Sequence, residues 1–196
     1  MNNHTFIIGI TGGSGCGKTT LLNVIRDRGG LVLDCDAIYH GLLKTDFRML
    51  SAIDARFPGV MEDGVLNRKK LGAIVFADEK ALLDLNTITH AAVKKEVLRR
   101  LENQPKLAAI DAIGLFEGNL AELCDVTVAV TAPTEDRVKR LMNRDSISEA
   151  YARSRIAAQH DDCWFREKFT CVLENNSNLD AFATKCLAFL ELIGIM

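Results

Sequence analysis

The chain has 196 residues, 48% of them apolar and 26% charged, which suits one globular domain and excludes a disordered or collagen-like chain. Its formal net charge of −2, from 24 basic and 26 acidic residues, argues against a broad electrostatic coat for nucleic acid. No apolar run approaches the roughly 20 residues a membrane span needs, and Met1 to Thr5 carries no basic region ahead of a signal core, so a cytoplasmic protein is expected.

In chain order, Phe6 to Thr11 is a short β-branched run that stops at Gly12-Gly13 and reads as a buried strand. Residues 18–28 place Leu21, Leu22 and Ile25 at helical spacing before Gly29-Gly30. Leu31 to Leu33 is a second strand, closed by Asp34-Cys35-Asp36. This opening is the start of an α/β sheet. Residues 37–105 read as helices with turns at Pro58-Gly59 and Asp63-Gly64, and no strand is expected there. The longest helix covers 79–103, amphipathic through Leu82, Leu85, Ile88, Val93, Val97 and Leu101, and Gln104-Pro105 ends it. Strands return at Leu107 to Ile110 and Val126 to Val130, followed by a helix near 134–143 with acidic residues in its first turn. Residues 144–168 are polar and charged, Val172-Leu173 is a weak last strand, and Leu179 to Ile195 is a closing helix. The six cysteines are scattered without a C-x-x-C pair and read as reduced thiols, mostly small core residues.

The sharpest motif is Gly12-Gly13-Ser14-Gly15-Cys16-Gly17-Lys18-Thr19, which fits G-x-x-x-x-G-K-[ST] with a strand before it and a helix after it. Glycines let the backbone curl so that successive N–H groups face an anion, and the helix adds its positive end. Lys18 suits the outer phosphates and the Thr19 hydroxyl suits Mg²⁺. Gly13, Ser14, Gly15, Cys16, Gly17, Lys18, Thr19 and the adjoining Thr20 are therefore the expected contacts to ATP or GTP. No N/T-K-x-D guanine motif is present. A small chain with a helical insertion and a late charged segment suggests a phosphotransferase in which the insertion holds the acceptor and the charged segment closes as a lid. Asp34 and Asp36 stand where ligands lie in an open α/β sheet, and one of them is the candidate to take the acceptor's proton. The competing reading is that Asp36 caps the next helix.

From Ile10-Thr11-Gly12-Gly13 onward the chain resembles the dephospho-CoA kinase family over nearly its whole length. Asp34-Cys35-Asp36 stands for the family's D-A-D, and Asp63 to Leu71 is similar to G-x-L-[ND]-R-x-x-L, followed by Val75-Phe76. His90 falls at H-P-x-V, Leu115-Phe116-Glu117 at P-L-L-F-E, Arg140 with Arg144-Asp145 at R-x-x-x-R-D, and Arg155 to Gln159 at R-[IL]-x-x-Q. Lys168 and Asn175 match a later lysine and asparagine. The resemblance implies a three-layer P-loop kinase fold with a parallel sheet of about five strands, using ATP and Mg²⁺ to phosphorylate the ribose 3′-hydroxyl of dephospho-CoA. It implies Asp36 as catalytic base with Lys18 and Arg140, and Thr19 at the metal. Asp34, Arg68, His90 and Glu117 would lie in or near the acceptor site, and Arg144, Arg155 and Asn175 at the nucleotide. Within the single domain 1–196, the core would be 1–36, 106–143 and 169–196, the acceptor insertion 37–105 and the lid 144–168. Ala91, Ile113-Gly114 and His40 depart from the family pattern, all around the expected acceptor region. A kinase for another small hydroxyl acceptor, such as a nucleoside or nucleotide, and a non-catalytic ATP-binding paralogue are the alternatives.

Further expectations concern Asp111, Cys16, the pair Trp164 and Phe165, and the stretch 137–160. Asp111 ends a strand where an Mg²⁺-linked acid would stand, or where an aspartate caps a loop. Cys16, inside the anion-binding loop, is a candidate thiolate open to oxidation, or simply a small tolerated side chain. Trp164 and Phe165 read as core, with hinge contacts as the alternative. Residues 137–160 hold six Lys/Arg against two Asp/Glu, a local +4, so the remainder carries −6.

Overall fold

The computed structural model describes residues 4–103 and 105–195. Strand β1 (Phe6–Gly12) runs into helix α1 (Lys18–Asp27) and then β2 (Leu31–Asp34). Helices α2 (Cys35–Thr45) and α3 (Phe47–Arg56) follow, then a hairpin of β3 (Met61–Glu62) and β4 (Val65–Leu66), then α4 (Arg68–Val75) and α5 (Glu79–Leu101). The chain returns through β5 (Leu107–Asp111), β6 (Val126–Thr131), α6 (Thr134–Asp145), α7 (Glu149–Ala157), α8 (Asp162–Lys168), β7 (Cys171–Glu174) and α9 (Leu179–Leu192). The five-stranded sheet is parallel, in the order β2-β5-β1-β6-β7.

The central strand β1 explains the sheet's apolar run. It pairs with β5 on one side and β6 on the other, so Ile7 to Thr11 are buried. Successive side chains point to opposite faces of the sheet. Ile8 and Ile10 join Leu21, Ile25, Phe182 and Leu190 in one core, whereas Ile7 joins Val97, Leu115 and Phe165 in another. Helices α1 and α9 thus cover one face, and α2, α5 and α8 contribute to the other, giving three layers.

Residues 35–101 carry a core of their own, built from Met49, Ile53, Phe57, Val60, Leu71, Val75 and Ala81. Helix α5 serves two cores. Leu85, Ile88 and Ala92 pack on this one, while Val93, Val97 and Leu101 pack on the sheet. Leu82 falls outside both faces and is 37% exposed, contrary to the stripe expected from spacing.

Other expectations are corrected as well. The block 37–105 does contain strands, the two-residue arms β3 and β4 flanking Asp63-Gly64. Both turn residues have positive φ, 50° and 78°, as tight hairpins require, but such arms are too short to show alternation. Asp34, not Asp36, caps α2 by accepting from the Ala37 N–H at 2.9 Å. The long helix stops at Leu101, and Gln104 lies outside the described residues. Phe165 is core, but Trp164 is only half-buried and stacks on His160 with ring centroids 3.8 Å apart and planes 7° from parallel.

Candidate active site

The phosphate loop is shaped by contacts from outside it. Arg137 Nε donates to the Ser14 carbonyl at 3.0 Å. Arg140 donates to the Gly15 carbonyl at 3.1 Å and the Cys16 carbonyl at 3.4 Å, and Asn175 Nδ2 donates to Cys16 O at 2.9 Å. In a trans peptide the N–H points away from its carbonyl. Drawing the carbonyls of Ser14 and Cys16 outward therefore turns the N–H groups of Gly15 and Gly17 to the other side. A cavity of about 670 Å³ lies along residues 11–19 and is closed by Arg140, Arg144, Gln159, His160 and Trp164, among others. Gly17 has φ of 94°, and a Cβ built on it would collide with Nδ2 of Asn175, so both backbone and space demand glycine there.

Lys18 lines this cavity and its amine is ion-paired with Asp111 at the end of β5. Asp34 and Asp111 are register partners at the carboxyl edge of the sheet. Burial pushes the Asp111 carboxyl above its ordinary pKa, Lys18 pulls it back, and the nearby carboxylates of Asp34 and Asp36 raise it further.

A second cavity, of about 230 Å³, lies beside the first. Asp36, Tyr39, Asn86, Thr89 and His90 line it, with Ile113 and Gly114 at its edge. Ile113 borders both cavities. Lys18 thus stands on one side of Ile113 and Asp36 on the other. His90 Nδ1 is 3.2 Å from the carbonyl of Glu117. A carbonyl only accepts, so Nδ1 carries the hydrogen, and Nε2 has Gly114 close by.

The structure brings Gly13 to Thr19, Arg140 and Arg144 to the first cavity, and Asp36 and His90 to the second. It places the remaining expected residues elsewhere. Thr20 and Asp34 line neither cavity. Arg155 is held by Asp145 at 2.7 Å and does not reach the loop, a consequence of Asp145 sitting between Arg144 and Arg155. Those two guanidinium groups, Arg144 first, hold the Asp145 carboxyl well below the usual carboxylate range. Asn175 braces the loop from behind. Glu117 offers His90 its backbone carbonyl, while its side chain is exposed. Arg68 is exposed at the start of α4 and lines neither cavity, though its charge acts on Tyr39, which does.

The thiolate reading of Cys16 fails. The side chain is 2% exposed, and burial raises its pKa against the pull of Lys18 and Arg137. Cys35, lining the second cavity, is pushed up to about 12 by burial and by Asp111, Asp34 and Asp36. Both are protonated at neutral pH. Sequence reasoning missed Arg137 and did not place Gln159, whose Oε1 accepts from the Ser14 N–H at 3.0 Å. Only the packing of α6 and α7 against the loop shows them.

Mg²⁺ favours oxygen donors and takes one or two protein oxygens beside substrate phosphates and water. The donors here fit that pattern: the exposed Thr19 at the loop and the Asp111 carboxylate, with no group of three or more metal-ligating side chains among the described residues.

Comparison with known proteins points the same way. Residues 6–181 match the family model described as dephospho-CoA kinase. A dephospho-CoA kinase from Moorella thermoacetica is 37% identical over 183 residues, covering 90% of this chain and 86% of that one. The crystal structure of a Thermus thermophilus protein superposes with a TM-score of 0.80 at 31% identity, covering 97% of this chain and 98% of the other. A dephospho-CoA kinase from Campylobacter jejuni, 23% identical, shares the fold with a TM-score of 0.64 over 95% of this chain and 96% of its own.

Proposed function

The chain belongs to the dephospho-CoA kinase family, and on that footing we propose that it transfers the γ-phosphoryl group of ATP to the ribose 3′-hydroxyl of dephospho-CoA, the last step of CoA synthesis. One observation supports this most directly. A phosphate-binding cavity with Lys18 and a second cavity with Asp36 meet at Ile113, so donor and acceptor sites adjoin.

ATP lies with its phosphates on the N–H groups of the loop and the N-terminal end of α1. Lys18 leaves Asp111 for the outer phosphates, whose combined negative charge exceeds that of one carboxylate. The acceptor occupies the second cavity, with His90 Nε2 and the Asp36 carboxylate as its polar partners. Asp36 takes the proton of the 3′-hydroxyl as its oxygen bonds to the γ-phosphorus and the bond from that phosphorus to the β,γ-bridging oxygen breaks. ADP carries away that electron pair, and Lys18, Arg140 and the loop amides neutralise the charge. The Thr19 hydroxyl and the Asp111 carboxylate would hold Mg²⁺, which would supply further charge neutralisation when bound. Residues 37–105 serve the acceptor. Residues 144–168 act as the lid, bringing Arg144 over the phosphates.

The test is incubation with ATP and Mg²⁺ and, separately, dephospho-CoA, nucleosides and nucleotides. The expected result is CoA from dephospho-CoA and no phosphorylated product from the others. A nucleoside or nucleotide phosphorylated in its place would make this a kinase for another hydroxyl acceptor. No product from any would make it an ATP-binding protein without transfer.

A further inference from the structure

Arg137, on α6, is a buried cation without an acid. Its side chain is packed under the phosphate loop and the residue is 7% exposed. Acids of α6 and α7 pair with other arginines. Glu135 and Glu149 pair with Arg153, and Asp145 pairs with Arg144 and Arg155. Among the described residues no carboxylate forms an ion pair with Arg137. Removing an ion from water is costly, and proteins offset that with an opposite charge or dense hydrogen bonding.

What Arg137 has is the loop and one amide. Nε donates to Ser14 O at 3.0 Å, and Nη2 donates to Gln159 Oε1 at 2.5 Å. The same Oε1 accepts from the Ser14 N–H at 3.0 Å, and Gln159 Nε2 is 2.9 Å from Ser14 Oγ. The guanidinium lies so close to Gly13 that a Cβ there would collide with it. Arg137, Gln159 and Ser14 therefore form one hydrogen-bonded unit behind the cavity wall. Gln159 itself lines the cavity and Arg137 does not.

We propose that Arg137 is a nucleotide-positioning residue: it ties Gln159 to Ser14 and lends the loop a buried positive charge that the phosphates of ATP balance. It acts through the loop and does not touch the nucleotide. Gln159 joins the segment after α7 to the loop. The amide is neutral, which leaves the charge of Arg137 uncompensated until a polyphosphate binds. A glutamate at the same place would neutralise it permanently.

The inference rests on the ATP-binding part of the function proposed above, and ATP titration without acceptor tests it separately from acceptor identity. Three variants are used: Arg137→Gln, Arg137→Lys and Gln159→Glu. Arg137→Gln should bind ATP at least about tenfold more weakly, with KM for dephospho-CoA unchanged. Arg137→Lys should recover part of the affinity, because the charge returns without the planar fork. Gln159→Glu should raise the unliganded Tm while weakening ATP binding, two movements that a merely structural contact would not separate. The proposal is overturned if Arg137→Gln binds ATP within about twofold of the wild type, or if its KM values for both substrates rise together. Should Arg137→Gln not fold, Gln159→Glu decides: unchanged or tighter ATP binding refutes the proposal. A wild-type protein that bound no ATP would refute the reading of the loop itself.

Discussion

Cys16 and Asn175 show how far a motif reaches. The motif places Cys16 among phosphate-binding residues, but only burial reveals that it belongs to the core that includes Leu21 and Ile25. ATP turnover should therefore be the same before and after mild peroxide, and a loss that Cys16→Ala prevents would contradict this. Asn175 is buried, its Oδ1 has no hydrogen-bond partner among the described residues, and its Nδ2 holds Cys16 O. Asn175→Ala should lower stability by about 1–3 kcal/mol and raise KM for ATP, as read by denaturant unfolding and steady-state kinetics. The loop, Lys18, Asp36 and His90 were legible because motif spacing fixes local backbone or because the family pattern marks them. Arg137 was not, since an arginine in a cationic run looks like a solvated helix face until its neighbours are known. Arg155 shows the reverse. Its place in a motif suggests a phosphate clamp, but a carboxylate ten residues earlier holds it.

At the scale of elements, the strands and long helices were legible where one periodicity ran unbroken. β1, β5 and β6 are apolar runs buried on both faces, as parallel strands are. Helix α5 blurred the pattern because it turns one face to the 47–81 core and another to the sheet, which leaves Leu82 exposed. The hairpin at Asp63-Gly64 was visible as a turn and not as strands, since two-residue arms have no period. The last turns of α5 carry an acid-sensitive ion cluster. Glu96 accepts from Arg99 at 2.7 Å and Arg100 at 2.8 Å, and those bonds, Arg99 first, hold its pKa at about 2. The folded pKa is below the ordinary 4.5, so the contribution is complete above that pH and lost as pH falls towards about 2. Glu96→Gln should accordingly lower Tm at pH 7 slightly and flatten its fall over that range. A parallel fall in both proteins would contradict the assignment.

For the whole molecule, the near-neutral charge conceals a division of labour. The cationic stretch 137–160 sends Arg137 and Arg140 to the loop, and the acidic trio Asp34, Asp36 and Asp111 stands at the carboxyl edge of the sheet, with Asp36 lining the second cavity. Sequence alone could place both ends of this arrangement, but not Ile113 as the residue that borders both cavities. Trp164 is the single tryptophan and lines the phosphate cavity, so its fluorescence should change on adding ATP. No response to saturating ATP would argue against nucleotide in that cavity. The central claim is that Asp36 takes the acceptor's proton and has no part in holding ATP. Single-turnover transfer to dephospho-CoA by Asp36→Asn, with ATP affinity measured on the same protein, tests it most directly. The account predicts transfer slowed by about 10²–10⁴-fold with ATP affinity unchanged; transfer at the wild-type rate would contradict it.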